Sequence, residues 1–262
     1  MNQLQQILSL SVLPVSLGLS IFSTLNRLAL AEFPIDSHKF THKWQISQLF
    51  IPPVHTRPKE SWSPATRTPD TCQELVPLLP PDKLGLTFSD RPRFFWFIPS
   101  GITVKTADFL LQNEDNDTVY EITLNLSNQR GIIGFTLPEE SPSLMINKEY
   151  KWNLDFTISC QIEEIDKKQI DEEQFISGWV KRIPVDPKLS KDLINVQPQR
   201  LSSVYTKNGI WYEAVNDLVY QRCMFRPQQD VINNWGTLLK SVGLNDLISA
   251  PLINSCNPKR NI

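Results

Sequence analysis

Residues 91–99 read Arg-Pro-Arg-Phe-Phe-Trp-Phe-Ile-Pro, an unbroken apolar run from Phe94 to Ile98 between two prolines. A strand points successive side chains to opposite faces, so one that is half exposed to water alternates apolar and polar residues. This stretch is apolar on both faces. It therefore demands two covers, or else one of its faces is a binding surface.

The surrounding sequence supplies the first cover. After Pro81, strand-like runs follow one another: 93–98, "ADFLLQ" at 107–112, "TVYEITLNL" at 118–126, "GIIGFTLP" at 131–138, "EYKWNLDFTISC" at 149–160 and "FISGWVKRIP" at 175–184. The Asn/Asp-rich turn "NEDND" joins the second and third as a hairpin. A charged tip, "EEIDKKQIDEE", lies between the last two. Tyr150, Trp152, Leu154, Phe156 and Ile158 alternate with Lys151, Asn153, Asp155 and Thr157, the pattern of a half-buried strand. Short strands with no helical pattern between them predict an antiparallel β-sandwich over 72–184. In "LMINKEYKW", Leu144 precedes Tyr150 by six residues. That spacing resembles the tyrosine corner of immunoglobulin- and fibronectin-type sandwiches, whose Tyr hydroxyl bonds nearby backbone.

Helical signals fill 185–252. Asp186-Pro187 is a cap followed by proline at the first helical position. Leu201, Val204 and Tyr205, then Trp211, Ala214, Val215 and Leu218, then Val231, Trp235, Leu238 and Leu239 recur at helical spacing. Gly209 and Gly243 are placed to end helices. Leu201, Ser202, Tyr205, Gly209, Ala214 and Leu218 resemble a tetratricopeptide repeat, with Pro227 one residue late. One and a half such repeats cannot bury a core alone. Residues 187–250 are therefore expected to dock on the sheet that holds Phe94–Ile98, as its second cover. The expected fold is α+β: an immunoglobulin/fibronectin-like antiparallel sandwich followed by a short tetratricopeptide-like helical segment packed on it.

The ends of the chain speak to location. Ile7–Leu25 is largely apolar, and Ala29 and Ala31 stand at small-residue positions that suit cleavage, so 1–31 reads as a secretory signal peptide. An uncleaved N-terminal anchor is the alternative, and no later stretch is apolar enough to span a membrane. Residues 32–71 hold six prolines, together with Trp44 and Trp62, and read as a poorly ordered linker. Residues 253–262 read as a tail. The expected location is the periplasm or cell envelope.

All four cysteines follow residue 31, and an even count in an oxidising compartment suggests disulfides. Cys72 with Cys160 is the favoured pairing, and Cys223 with Cys256 is a possible second bond. The net charge of −2 gives no basic footprint for nucleic acid.

Candidate chemistry is sparse. The only histidines, His38, His42 and His55, lie in the linker, so a Ser-His-Asp or Cys-His engine is not indicated. Glu114, Asp115 and Asp117 cluster in the hairpin turn; Glu163, Glu164, Asp166, Asp171, Glu172 and Glu173 cluster in what reads as a loop. Both read as solvated tips, and "EDNDT" lacks the calcium-loop pattern. No cofactor, metal or catalytic residue is assigned. Trp96, Trp152 and Trp179 are a candidate aromatic contact surface for sugar rings.

Taken together, "LVPLLPPDKLGLTFSDRPRFFWFIP", "ADFLLQNEDNDTVYEITL", "YKWNLDFTISC", "GWVKRI", "NGIWYEAVNDL" and "WGTLLKSVGL" resemble the cyanobacterial domain-of-unknown-function family numbered nine hundred and twenty-eight, over roughly 68–252. The resemblance implies an exported or envelope protein with no established activity. The expected function is a non-enzymatic binding or scaffolding module for an envelope protein or polysaccharide. The alternatives are a carbohydrate-binding module and a carboxylate-based envelope hydrolase.

Overall fold

A computed structural model of the chain describes residues 50–52, 73–127, 129–162, 168–224, 229–253 and 256. The expected signal segment, most of the linker, the three histidines, Trp44, Trp62, Cys72, Glu163, Glu164 and Asp166 lie outside the described residues.

Two sheets form. β1 (Val76–Pro77), β3 (Arg93–Ile98) and β6 (Gly131–Thr136) make an antiparallel sheet in the order β1-β3-β6. The second sheet has the order β2-β8-β7-β4-β5, from β2 (Leu84–Thr87), β8 (Lys168–Arg182), β7 (Glu149–Ile162), β4 (Ile102–Gln112) and β5 (Thr118–Asn125). Ring contacts between β3 or β6 and β4 or β7 show that the sheets face each other: Phe94 to Phe109 at 5.1 Å, Phe94 to Trp152 at 5.7 Å and Phe109 to Phe135 at 4.9 Å.

Two expectations are corrected. The β2–β8 pair is parallel, with Leu84 opposite Trp179. Segments so distant in sequence are free of the hairpin constraint that makes neighbouring strands antiparallel. Asp171, Glu172 and Glu173 are not in a loop: the β7–β8 ladder runs on to Ile162 opposite Lys168. A strand that alternates faces accepts charge on the outward one, where Asp171 and Glu173 are exposed.

The helices are α1 (Pro187–Asn195), α2 (Leu201–Lys207), α3 (Trp211–Met224) and α4 (Gln229–Ser241). The Asp186 carboxylate accepts the Leu189 N–H at 2.8 Å, capping α1 with Pro187 in its first turn. α3 packs on β2 and β3. The Tyr212 ring meets Phe94 at 5.4 Å, and it comes so near β2 that a Cβ on Gly85 would stand 2.5 Å from it. The Tyr212 side chain in the first turn of α3 therefore reaches both β2 and β3. On the other face of β3, Phe95 and, from β6, Ile132 are buried, in one hydrophobic cluster with residues of α3, α4 and the chain beyond α4. Both faces of the opening strand are thus covered.

Further contacts fasten loops and edges to this frame. The Tyr150 hydroxyl accepts the Met145 N–H at 3.0 Å, fastening the loop before β7 to its head. The free edge of β6 is closed by the chain after α4: the Ile132 N–H donates to the Pro251 carbonyl at 2.8 Å and the Ile253 N–H to Ile132 at 2.9 Å. Phe50, inside the span read as linker, is buried edge-on against Trp211 with ring centroids 4.9 Å apart. Its N–H donates to Ser241 Oγ at 3.4 Å.

Candidate functional site

Between the chain running into β3 and the exposed edge of α3 lie two adjoining hollows of about 290 and 280 Å³. Both are lined by Phe88, Arg93, Glu213 and Asn216. The first adds Tyr205, Asp217, Tyr220 and Cys256; the second adds Arg91 and Tyr212.

Arg93 opens β3 and points to its outer face, where the residue is only 7% exposed. Its guanidinium lies over the Phe95 ring, 5.2 Å from the centroid. The space comes from β6: a Cβ on Gly134 would stand 2.6 Å from Arg93 Nε. That Nε is buried and has no hydrogen-bond partner, and no described carboxylate forms an ion pair with the group. Burial pulls its pKa down to about 10, which still leaves it charged at neutral pH. An unpaired buried charge is costly, and stacking on one ring offsets only part of that cost.

Glu213 is in the first turn of α3. Its Oε1 accepts the Thr87 hydroxyl at 2.6 Å and the backbone N–H groups of Phe88 and Ser89 at 3.2 Å each. These donors fix the carboxylate, yet Oε2 is buried with no partner. Burial raises the pKa of Glu213 despite the hydrogen bonds that oppose it. Asp217, one turn on, accepts from Gln221 Nε2 at 2.8 Å, and burial pushes it up to about 6. Tyr205, pushed up to about 12 chiefly by burial, stays protonated and can donate. The cleft thus joins a cation without an ion-pair partner, two carboxyl groups of raised pKa and a wall of aromatic rings, a combination suited to holding a small charged ligand.

The Cys223–Cys256 disulfide closes a separation of 33 residues at one end of this cleft. Cys160, buried in β7, is also disulfide-bonded; Cys72, the partner expected for it, lies outside the described residues.

Other residues singled out from sequence are placed elsewhere. Trp96 and Trp152 are buried in the core and cannot stack on a sugar ring. Trp179 is half-buried and, because Trp152 pairs with Gly178, lies on the opposite face of its sheet from Trp152. The three form no common surface. In the β4–β5 turn, Asn113 Oδ1 accepts the N–H groups of Asp115 and Asp117 at 2.9 and 2.8 Å, and Asn116 takes a φ of 65°. Glu114 reaches back to the Glu149 N–H and to Lys148, which lower its pKa in that order.

A third hollow, about 430 Å³, lies along the five-stranded sheet beside Asp108, Asp155 and Glu173. Partial burial, then the neighbouring Asp108, raises the pKa of Asp155. Among the described residues no three His, Cys, Asp or Glu side chains are grouped to hold a metal.

Sequence reasoning missed Arg93, Glu213 and Asp217. The signal was in α3: Trp211, Tyr212, Ala214, Val215, Leu218 and Val219 are all buried. A helix apolar on most of its circumference takes its few polar residues into the protein with it.

The geometry defines an α+β protein whose described residues form two facing sheets and four α-helices with a charged cleft at their junction. The family described as Domain of Unknown Function (DUF928) matches residues 55–252, and the chain belongs to that family. No curated protein matches the chain. Among the described residues no helix is long and apolar enough to cross a membrane.

Proposed function

We propose that this protein is a non-enzymatic, exported cell-envelope binding module, whose immunoglobulin-like sheets and tetratricopeptide-like helices together form one ligand cleft, and that Arg93 there holds an acidic group. The observation that carries this reading is the Arg93 guanidinium, which lines the cleft without an ion-pair partner and whose Nε is buried with no hydrogen bond. A fold that bore such a charge for structure alone would pair it. Disulfide bonding of Cys160, Cys223 and Cys256 and the apolar N-terminal pattern support export.

Calorimetric titration with 3-phenylpropanoate, a carboxylate whose ring suits Phe88 and Tyr205, tests the site. The expected result is saturable binding to the wild type, weakened about tenfold or more in Arg93→Gln. Arg93→Lys, which keeps the charge, should bind between the two. Absence of binding to the wild type, or equal binding by a folded Arg93→Gln, contradicts the reading.

One observation favours a second reading. Asp217, pushed up to about 6, has a proton affinity suited to general acid catalysis. An envelope hydrolase of that kind would turn over chromogenic glycosides or esters and lose turnover in Asp217→Asn.

A further inference from the structure

The first hollow of the cleft is lined by one guanidinium and two carboxyl groups. Arg93 and Glu213 line the same two hollows, yet no ion pair joins them. Each has an atom that is buried and unmatched: Nε on Arg93 and Oε2 on Glu213. A simple anion drawn to Arg93 would sit in the field of Glu213 and Asp217. A simple cation drawn to the carboxylates would sit in the field of Arg93. Only a ligand with both signs matches both walls, and buried polar atoms discriminate strongly against a ligand that leaves them unpaired.

We infer that the cleft takes a small zwitterion of the α-amino-acid class, its carboxylate on Arg93 and its ammonium on Glu213 Oε2. This rests on the reading of Arg93 as the anchor for an acidic group, and it adds the second charge. Glu213 is suited to the role because its Oε1 is already held by Thr87, Phe88 and Ser89, so Oε2 is fixed in place before the ligand arrives. Phe88 and Tyr205, whose rings lie 5.8 Å apart, offer an apolar wall for a side chain.

Three matched probes separate the charges: phenylalanine, 3-phenylpropanoate, which lacks the ammonium, and phenethylamine, which lacks the carboxylate. Calorimetry at pH 7 should show phenylalanine binding the wild type about tenfold tighter than either analogue. In Glu213→Gln, which keeps an acceptor for the loop, phenylalanine and 3-phenylpropanoate should differ by no more than about twofold. In Arg93→Gln both acids should weaken while phenethylamine does not. If 3-phenylpropanoate binds the wild type as tightly as phenylalanine, the zwitterion is overturned while the acidic-group reading stands. If no acid binds, both are overturned. Thermal unfolding of each variant shows that it is folded, and if Glu213→Gln is not, Glu213→Asp, which withdraws the carboxylate by one methylene, must reduce the preference for phenylalanine; an unchanged preference overturns the inference.

Discussion

The indole N–H of Trp152 donates to the Tyr212 hydroxyl at 3.1 Å, and that hydroxyl donates in turn to the Trp179 carbonyl at 3.1 Å. One phenol thereby joins β7, β8 and α3 inside the core. Through it α3 brings its own polar group to meet those of the five-stranded sheet.

Tyr212→Phe keeps the ring and removes both bonds, leaving a buried indole N–H without its acceptor. The expected loss is about 2–3 kcal/mol of unfolding free energy, with little change in the denaturant slope. Urea unfolding measures it. A loss below about 0.5 kcal/mol would mean that packing alone seats the helix.

Arg93→Met should act in the opposite direction. It replaces a buried, unpaired cation by an apolar side chain of similar length against Phe95. The account expects a gain of about 1–3 kcal/mol, because an unpaired charge carries desolvation without compensation. Loss of stability in urea would instead mark Arg93 as part of the scaffold.

Much of the fold was legible in the sequence because it follows local periodicity. The strand at 149–160 announces itself by its spacing of 2, the helix at Pro187 by the Asp186 cap, and the helix at Trp211 by apolar residues at helical spacing. The docking of helices on the strand at 93–98 followed from counting the covers that strand needs. What escaped was non-local. Leu84–Thr87 is too short to show a period, and its parallel partner lies nearly a hundred positions away. Arg93 precedes an apolar run in sequence, and only Gly134 of β6, opposite Phe95, leaves the space in which it is buried. Glu213 and Asp217 carry no local signal of a site, because nothing nearby in sequence reveals that the chain at 87–93 crosses their side of α3.

The acidity of Asp217 predicts a pH dependence. Its folded pKa, about 6, lies above the ordinary carboxyl value of 3.8, so the folded protein holds the proton more tightly than the unfolded chain does. Stability from this group is therefore greatest below about pH 4 and declines as pH rises through about 6. The decline amounts to about 2–3 kcal/mol. Asp217→Asn should be flatter between pH 4 and 7 and more stable than the wild type at pH 7. Urea midpoints across that range check it; parallel curves for the two proteins would contradict it.

The disulfide at the cleft should contribute through chain entropy. Joining Cys223 to Cys256 across a separation of 33 residues predicts about 3–4 kcal/mol. In calorimetric scans the double variant Cys223→Ser/Cys256→Ser should melt about 10 °C lower. An unchanged melting temperature would show that the segment holds its place without the bond.

The proposed role of Arg93, holding an acidic ligand, is read directly from its Nε–H resonance. With ¹⁵N-labelled protein, the signal is assigned by its loss in Arg93→Lys and followed during titration with 3-phenylpropanoate. The account predicts a saturable downfield shift and slower exchange of this proton with water as the group gains an acceptor. A signal that stays unmoved through saturating ligand, while binding is detected by calorimetry, would place the ligand elsewhere and contradict it.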